Sequence, residues 1–107
     1  MKHTLDDWFP MKDYPKEGIT GAYTWLDRRG YGKVVQAIRT DPNNPNADTR
    51  RLLLVGLIYE KSLLSDFLTT CWVQGNRSLI ERLERMDQHH KSFKNKPALA
   101  KRLTQYL

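Results

Sequence analysis

Residues 49–73 read TRRLLLVGLIYEKSLLSDFLTTCWV, and this stretch decides the fold. Residues 52–59 place apolar side chains on almost every side of a helix, which is typical of a helix that its neighbours bury all round. After that point the apolar residues narrow to one stripe, and Gly75 is typical of a helix end. The sequence therefore predicts one long central helix over about residues 47–74.

The residues just before this helix predict a loop and a helix cap. Residues 41–46 read DPNNPN, and two prolines with three asparagines do not continue a helix. Asn46 is of a residue type that caps helix N-termini, and Asp48 lies in the first turn, where the helix dipole favours a carboxylate. The central helix is therefore expected to begin directly after a sharp loop.

Three more helical segments are predicted upstream of that loop. Thr4 suits the start of a short helix that ends before Pro10. Residues 19–29 carry apolar side chains at helical spacing, and Gly30 suits the position that terminates a helix. Residues 33–40 also favour a helix, although two valines and an isoleucine leave a short strand as the alternative.

Two helices are predicted after the central one. Ser78 and Glu81 have the spacing of a capping box, which predicts a helix beginning at that serine. Pro97 is tolerated in the first turn of a last helix. The expected architecture is all-α: a small single-domain bundle over residues 1–107, with four to five helices around the long central one.

Composition narrows the classes of protein. A chain of 107 residues suits one domain, and a mean hydropathy of −0.69 does not suit a membrane protein. The longest uncharged apolar stretch, residues 52–59, is far shorter than the roughly 20 residues of a membrane span. Cys71 is the only cysteine, so we expect neither an intrachain disulfide nor a cysteine zinc site. With no secretion signal recognised, a cytoplasmic location is expected.

Positive charge is concentrated at one end of the chain. The net charge is +6, and residues 88–107 carry five basic side chains and no carboxylate side chain. Such a segment attracts nucleic acid, anionic lipid or an acidic protein. His89 and His90 are expected to add charge below about pH 6.5. The candidate anion-binding or nucleic-acid-binding residues here are Lys91, Lys94, Lys96, Lys101 and Arg102. A surface helix that its lysines make soluble is the alternative interpretation of this segment.

A second candidate anion site lies at residues 28–33, which read RRGYGK. Glycines let backbone N–H groups approach an anion, and Arg28, Arg29 and Lys33 surround them. The spacing matches neither a P-loop nor a dinucleotide fingerprint. A helix-ending turn with solvated charges is therefore the favoured interpretation.

Motifs for chemistry are not recognised. A helix-turn-helix around Gly75 is rejected, because Glu81 takes the place of the apolar residue that the motif buries. The adjacent His89 and His90 do not have the spacing at which helices hold a metal ion. Neither a nucleophilic triad nor a zinc-protease signature occurs, so neither enzymatic activity nor a cofactor is expected.

Macromolecular binding remains, in two versions. In the first, the chain is a small protein that acts stoichiometrically on a protein partner, as an inhibitor, an immunity or anti-defence protein, or an accessory subunit. Trp8, Phe9 and Tyr31 are its candidate interface anchors, because aromatic residues dominate binding energy at interfaces. In the second, the basic C-terminal segment binds nucleic acid or a ribonucleoprotein. The protein-binding version is preferred, because no stacking platform or groove-reading helix accompanies the charge.

Overall fold

The computed structural model describes the backbone of residues 19–68 and 79–107, with the side chains of residues 23–68 and 83–107. The helices within these ranges are α1 (Ile19–Leu26), α2 (Gly32–Thr40), α3 (Ala47–Glu60), α4 (residues 64–68), α5 (Leu79–Lys94) and α6 (Pro97–Tyr106). No strand occurs in the described residues, so the predicted all-α class is confirmed, and the strand alternative for residues 33–40 is wrong.

Helix α3 is the centre of the core, as its apolar composition predicts. Its residues 52–58 are all buried, and α3 contacts α1, α2, α5 and α6. The other buried apolar side chains cover it from these helices and from α4. They are Tyr23, Trp25, Leu26, Val35, Ile38, Phe67, Met86, Phe93, Leu99 and Leu103. A helix that is apolar all round has therefore become the element that its neighbours surround.

The prediction of one continuous helix over residues 47–74 is wrong, because α3 ends at Glu60 and helical structure resumes only at residue 64. Ser62 lies in the left-handed region, with φ 57°. Its N–H donates to the Tyr59 carbonyl over 3.1 Å, and the N–H of Leu63 donates to the Ile58 carbonyl over 2.8 Å. These two bonds form a Schellman motif, which closes a helix C-terminus.

The Schellman motif makes a stability prediction at Ser62. Glycine adopts positive φ without the steric cost of a Cβ, so Ser62→Gly should raise the free energy of unfolding by about 0.5–1 kcal/mol. The matched control is Ser92→Gly, at an exposed position inside α5, which should lower it by about 0.5 kcal/mol. Urea unfolding measures both variants. A loss at both positions would mean that residue 62 lies in an ordinary helix.

The chain changes direction between α1 and α2 at Gly30. This glycine has φ 93° and lies in the kinked segment Asp27–Tyr31, which joins the two helices. The prediction that Gly30 breaks the helix is confirmed, because a side chain at that φ would be strained.

The ends of two other helices agree with the predictions made from the sequence. The side chain of Asn46 accepts a hydrogen bond from the Thr49 N–H over 2.8 Å, which confirms the predicted cap of α3. Pro97 occupies the first turn of α6, also as predicted. The helix begun by Thr4, the capping box at Ser78 and the predicted helix end at Gly75 lie outside the described residues. Among the described helices, none combines the length and the apolarity needed to cross a membrane.

Candidate functional site

Four lysines stand out on the hairpin of α5 and α6. Lys91 and Lys94 lie in the last turns of α5, Lys96 precedes α6, and Lys101 lies within α6. All four side chains are exposed, and none forms an ion pair with a residue that the structure describes. We call these four residues the lysine surface. The structure therefore leaves four of the five predicted C-terminal cations exposed on the α5–α6 hairpin.

Arg102, the fifth predicted cation, is instead part of the fold. Its guanidinium donates to the side-chain oxygen of Asn44 and to the Asn43 carbonyl, the latter over 3.3 Å. The residue is half-buried, and both contacts hold the loop that precedes α3 against α6. Its charge is engaged within the molecule, so it does not belong to the lysine surface.

Asn44 is a buried polar hub that the sequence did not reveal. It is 1% exposed, and its Nδ2 donates to the Ile38 carbonyl over 3.1 Å and to the Tyr106 hydroxyl over 2.9 Å. Arg50 donates to its carbonyl over 2.7 Å, and Arg102 donates to its side-chain oxygen. One asparagine thereby joins α2, α3 and α6. Nothing in DPNNPN distinguishes it, because its partners in α6 lie far away in the chain.

The hydrogen bonds of Asn44 continue through Tyr106 to the carboxylate of Asp41. The Tyr106 hydroxyl donates to the Asp41 carboxylate, and the Asn43 N–H donates to the same carboxylate over 2.8 Å. The hydrogen bond from Tyr106 is the main cause that lowers the pKa of Asp41. Burial, followed by the hydrogen bond to Asp41, raises the pKa of Tyr106. Both groups therefore stay in their ordinary ionisation states at neutral pH, and they fasten the end of α6 to the loop.

Arg29 of the second candidate site is also engaged by the fold. Its Nε lies 2.6 Å from a carboxylate oxygen of Asp66, which ties the kinked segment between α1 and α2 to α4. Its guanidinium lies 3.8 Å from the ring centre of Trp25 and donates to the Trp25 carbonyl. This arrangement fits a structural role, because Nε, Nη1 and the face of the guanidinium contact the protein itself.

The remaining parts of that site include a carboxylate beside the two exposed cations. Arg28 and Lys33 are exposed, and the Asp27 carboxylate lies so close to Gly32 that a Cβ there would overlap it. An incoming phosphate would meet this carboxylate. The interpretation of residues 28–33 as a helix-ending turn is confirmed by the left-handed Gly30.

An open groove of about 340 Å³ lies between α3, α5 and α6. It is lined by Gly56, Tyr59, Glu60, His90, Phe93, Ala100, Leu103, Thr104 and Leu107. A Cβ on Gly56 would lie within 2.6 Å of the Phe93 ring, so this glycine lets the ring rest on the α3 backbone. Sequence reasoning treated Gly56 as one more position in an apolar run and therefore missed the groove.

One wall of the groove is a stack of rings. The Tyr59 and His90 rings are 3.8 Å apart and nearly parallel, and the Phe93 ring is nearly parallel to His90, with its centre 6.3 Å from the His90 ring centre. The Tyr59 hydroxyl donates to Asp87 over 2.6 Å. Burial, reinforced by this hydrogen bond, raises the pKa of Tyr59. The wall is therefore rigid and uncharged at neutral pH.

The expectation that the two histidines add charge just below pH 6.5 is wrong. Burial lowers the pKa of His89 to about 4, assisted by the positive charges of Arg51 and Arg85 and opposed by Asp48. Burial, followed by the positive charge of Lys94, lowers the pKa of His90. Both rings therefore enter the acidic range uncharged, and the positive field of this end comes from the lysine surface.

The pKa of His89 predicts a loss of stability in acid. Because the unfolded chain takes up a proton near pH 6.5 and the folded chain only near pH 4, the free energy of unfolding should fall as pH is lowered between these values. His89→Gln should flatten this dependence, as measured by urea unfolding between pH 4 and pH 7.5. A variant that loses as much stability as the wild type over this interval would show that His89 titrates normally.

Of the predicted interface anchors, only Tyr31 is described. It is half-buried and packs against the core, so only part of its ring faces solvent. Trp8 and Phe9 lie outside the described residues. Within the described part of the chain, no three His, Cys, Asp or Glu side chains lie together as a metal site would require.

Comparisons of the chain with protein families, with curated proteins and with solved structures found no match.

Proposed function

We propose that this chain is a binding protein that acts stoichiometrically on a protein partner, as an inhibitor, an immunity or anti-defence protein, or an accessory subunit. The observation that carries the proposal is the open groove between α3, α5 and α6. Two of its polar groups are engaged within the protein, since the Tyr59 hydroxyl donates to Asp87 and the Thr104 hydroxyl to the Ala100 carbonyl. The groove offers contact area and shape to a partner.

Affinity capture tests this function. The full chain is immobilised and exposed to a cytoplasmic lysate of its source, in parallel with and without nuclease treatment. We expect a protein that stays bound after nuclease and elutes with the chain in a fixed molar ratio, measured by size exclusion with light scattering. Loss of all bound protein on nuclease treatment, or a captured molecule that is chemically altered, would contradict the proposal.

The second candidate function is nucleic-acid or ribonucleoprotein binding, and the lysine surface favours it. Four exposed cations without a described ionic partner can contact phosphates and release counterions. Fluorescence anisotropy with generic DNA and RNA across salt concentrations tests it. Under this function, Lys94→Gln with Lys96→Gln should flatten the salt dependence by roughly one unit per lost contact. The matched double variant, Lys33→Gln with Lys61→Gln, should not. If the wild type binds neither DNA nor RNA at low salt, nucleic-acid binding is excluded as its function.

A further inference from the structure

Resting on the proposed function, we propose that the groove between α3, α5 and α6 is the docking site, and that its occupant is an acidic segment of the partner protein with a large apolar side chain. The segment inserts the apolar side chain between the ring stack and α6, and its carboxylates face the lysine surface.

The apolar half of the proposal rests on the lining of the groove. Phe93 and Leu103 are buried and form its floor, and Leu107 stands 48% exposed beside it. The volume of about 340 Å³ is open on one side, which suits an inserted side chain better than an enclosed ligand. Covering the groove would remove apolar surface from water, which is the main driving force of association.

The rigidity of the groove favours binding without rearrangement. Tyr59 is fixed by its stacking on His90 and by its hydrogen bond to Asp87, and Phe93 is fixed against the α3 backbone at Gly56. Side chains that are already ordered lose little conformational entropy when a partner arrives. A preformed groove is therefore available to the occupant.

The charged side chains around the groove favour a negatively charged occupant. Lys94 and Asp87 both act on the charge of His90, Lys94 with the larger effect, and residues 88–107 of the α5–α6 hairpin carry five basic and no acidic side chains. Glu60 has the one carboxylate side chain among the lining residues, and Lys61 follows it directly. The field at the rim is therefore positive on the hairpin side, and it attracts carboxylates.

A protein segment fits this wall better than a nucleic-acid strand does. Single-stranded nucleic acid binds by stacking its bases on open aromatic faces. Here one face of His90 is covered by Tyr59, and the side chain of Phe93 is buried. These rings therefore offer a base little open aromatic surface, whereas their edges remain suited to apolar contact.

The test is a selection from a display library of random 12-residue peptides on the full chain, followed by fluorescence polarisation of the enriched peptides. We expect enriched peptides to combine an aromatic or large aliphatic residue with carboxylates. Thr104→Trp places a large ring at an exposed lining position and should weaken their binding at least tenfold. Gln105→Trp, exposed on the same helix but outside the lining, should leave binding unchanged.

A charge-reversal pair provides a second, independent arm. Lys94→Glu should weaken binding several-fold, and the loss should shrink as salt is added. Lys33→Glu makes the same change of net charge at an exposed position on α2, and it should have no effect. Equal effects of the two variants would mean that only net charge matters, and this would overturn the acidic-segment assignment.

Three other outcomes would overturn the assignment of the groove as the docking site. The first is a library that yields no enriched peptide, the second is a library that yields basic or uncharged peptides, and the third is that the enriched peptides bind Thr104→Trp as tightly as the wild type. Self-association of the chain that Thr104→Trp abolishes would assign the groove to a second copy. A captured partner that binds Thr104→Trp normally would leave the proposed function intact and overturn the groove. Enriched peptides without any stoichiometric complex in the capture experiment would overturn the function instead.

Discussion

Leu57→Ala should lower the free energy of unfolding by about 2–5 kcal/mol, because it removes buried apolar contacts and leaves a cavity at the centre of α3. Leu57 is completely buried, and α3 contacts four other helices. A small domain has only about 5–15 kcal/mol of stability, so urea unfolding will show the loss clearly.

The control for Leu57 is Leu64→Ala. The uninterrupted helix predicted from the sequence would place these two leucines on one face, with similar burial. In the structure a Schellman motif separates them, and Leu64 is only half-buried. We therefore expect a clearly smaller loss at Leu64. Equal losses would contradict the break between α3 and α4.

Asn44→Asp should lower the free energy of unfolding by about 2–4 kcal/mol at neutral pH. The change is nearly isosteric, but it replaces the Nδ2 donor by an oxygen that faces the Ile38 carbonyl and the Tyr106 hydroxyl. The hydrogen bond from Arg102 offsets only part of that cost. Thermal and urea unfolding measure the effect.

Asn43→Asp is the matched control for the hub. Asn43 is the exposed neighbour in the same loop, and the substitution makes the same change of net charge. A loss within about 0.5 kcal/mol is expected there, as for most surface positions. Comparable losses at both positions would show that added charge in the loop, rather than the hydrogen bonds of Asn44, limits stability.

The sequence pattern predicted most of the helices, because the ends of these helices depend on residues that are close together in the chain. The Asn46 cap, Gly30 at a positive φ and Pro97 in a first turn each depend on neighbours within a few residues. The break after Glu60 was missed because Ser62 occupies a left-handed position that glycine or asparagine usually fills. Serine there gives no sequence signal, and apolar residues resume at helical spacing beyond the break, from Leu63 onward.

Features of the candidate site depend on contacts between distant segments. Arg102 looks like any other cation of the basic segment until Asn44 is placed beside it. The low pKa of His89 follows from burial and from arginines on two helices, neither of which periodicity reveals. Gly56 acquires its role only when Phe93 packs on it. The concentration of lysines at residues 91–101, by contrast, was visible in the sequence because exposure is the ordinary state of a lysine.

Lysine footprinting of the captured complex tests most directly that the partner binds at the groove. The free chain and the complex are acetylated under identical conditions, and the reactivity of each lysine is measured by mass spectrometry. Lys94, beside the groove, and Lys33, on α2, are both exposed and should react in the free chain. The account predicts that complex formation protects Lys94 and leaves Lys33 unchanged. Protection of Lys33 with Lys94 as reactive as in the free chain would contradict it.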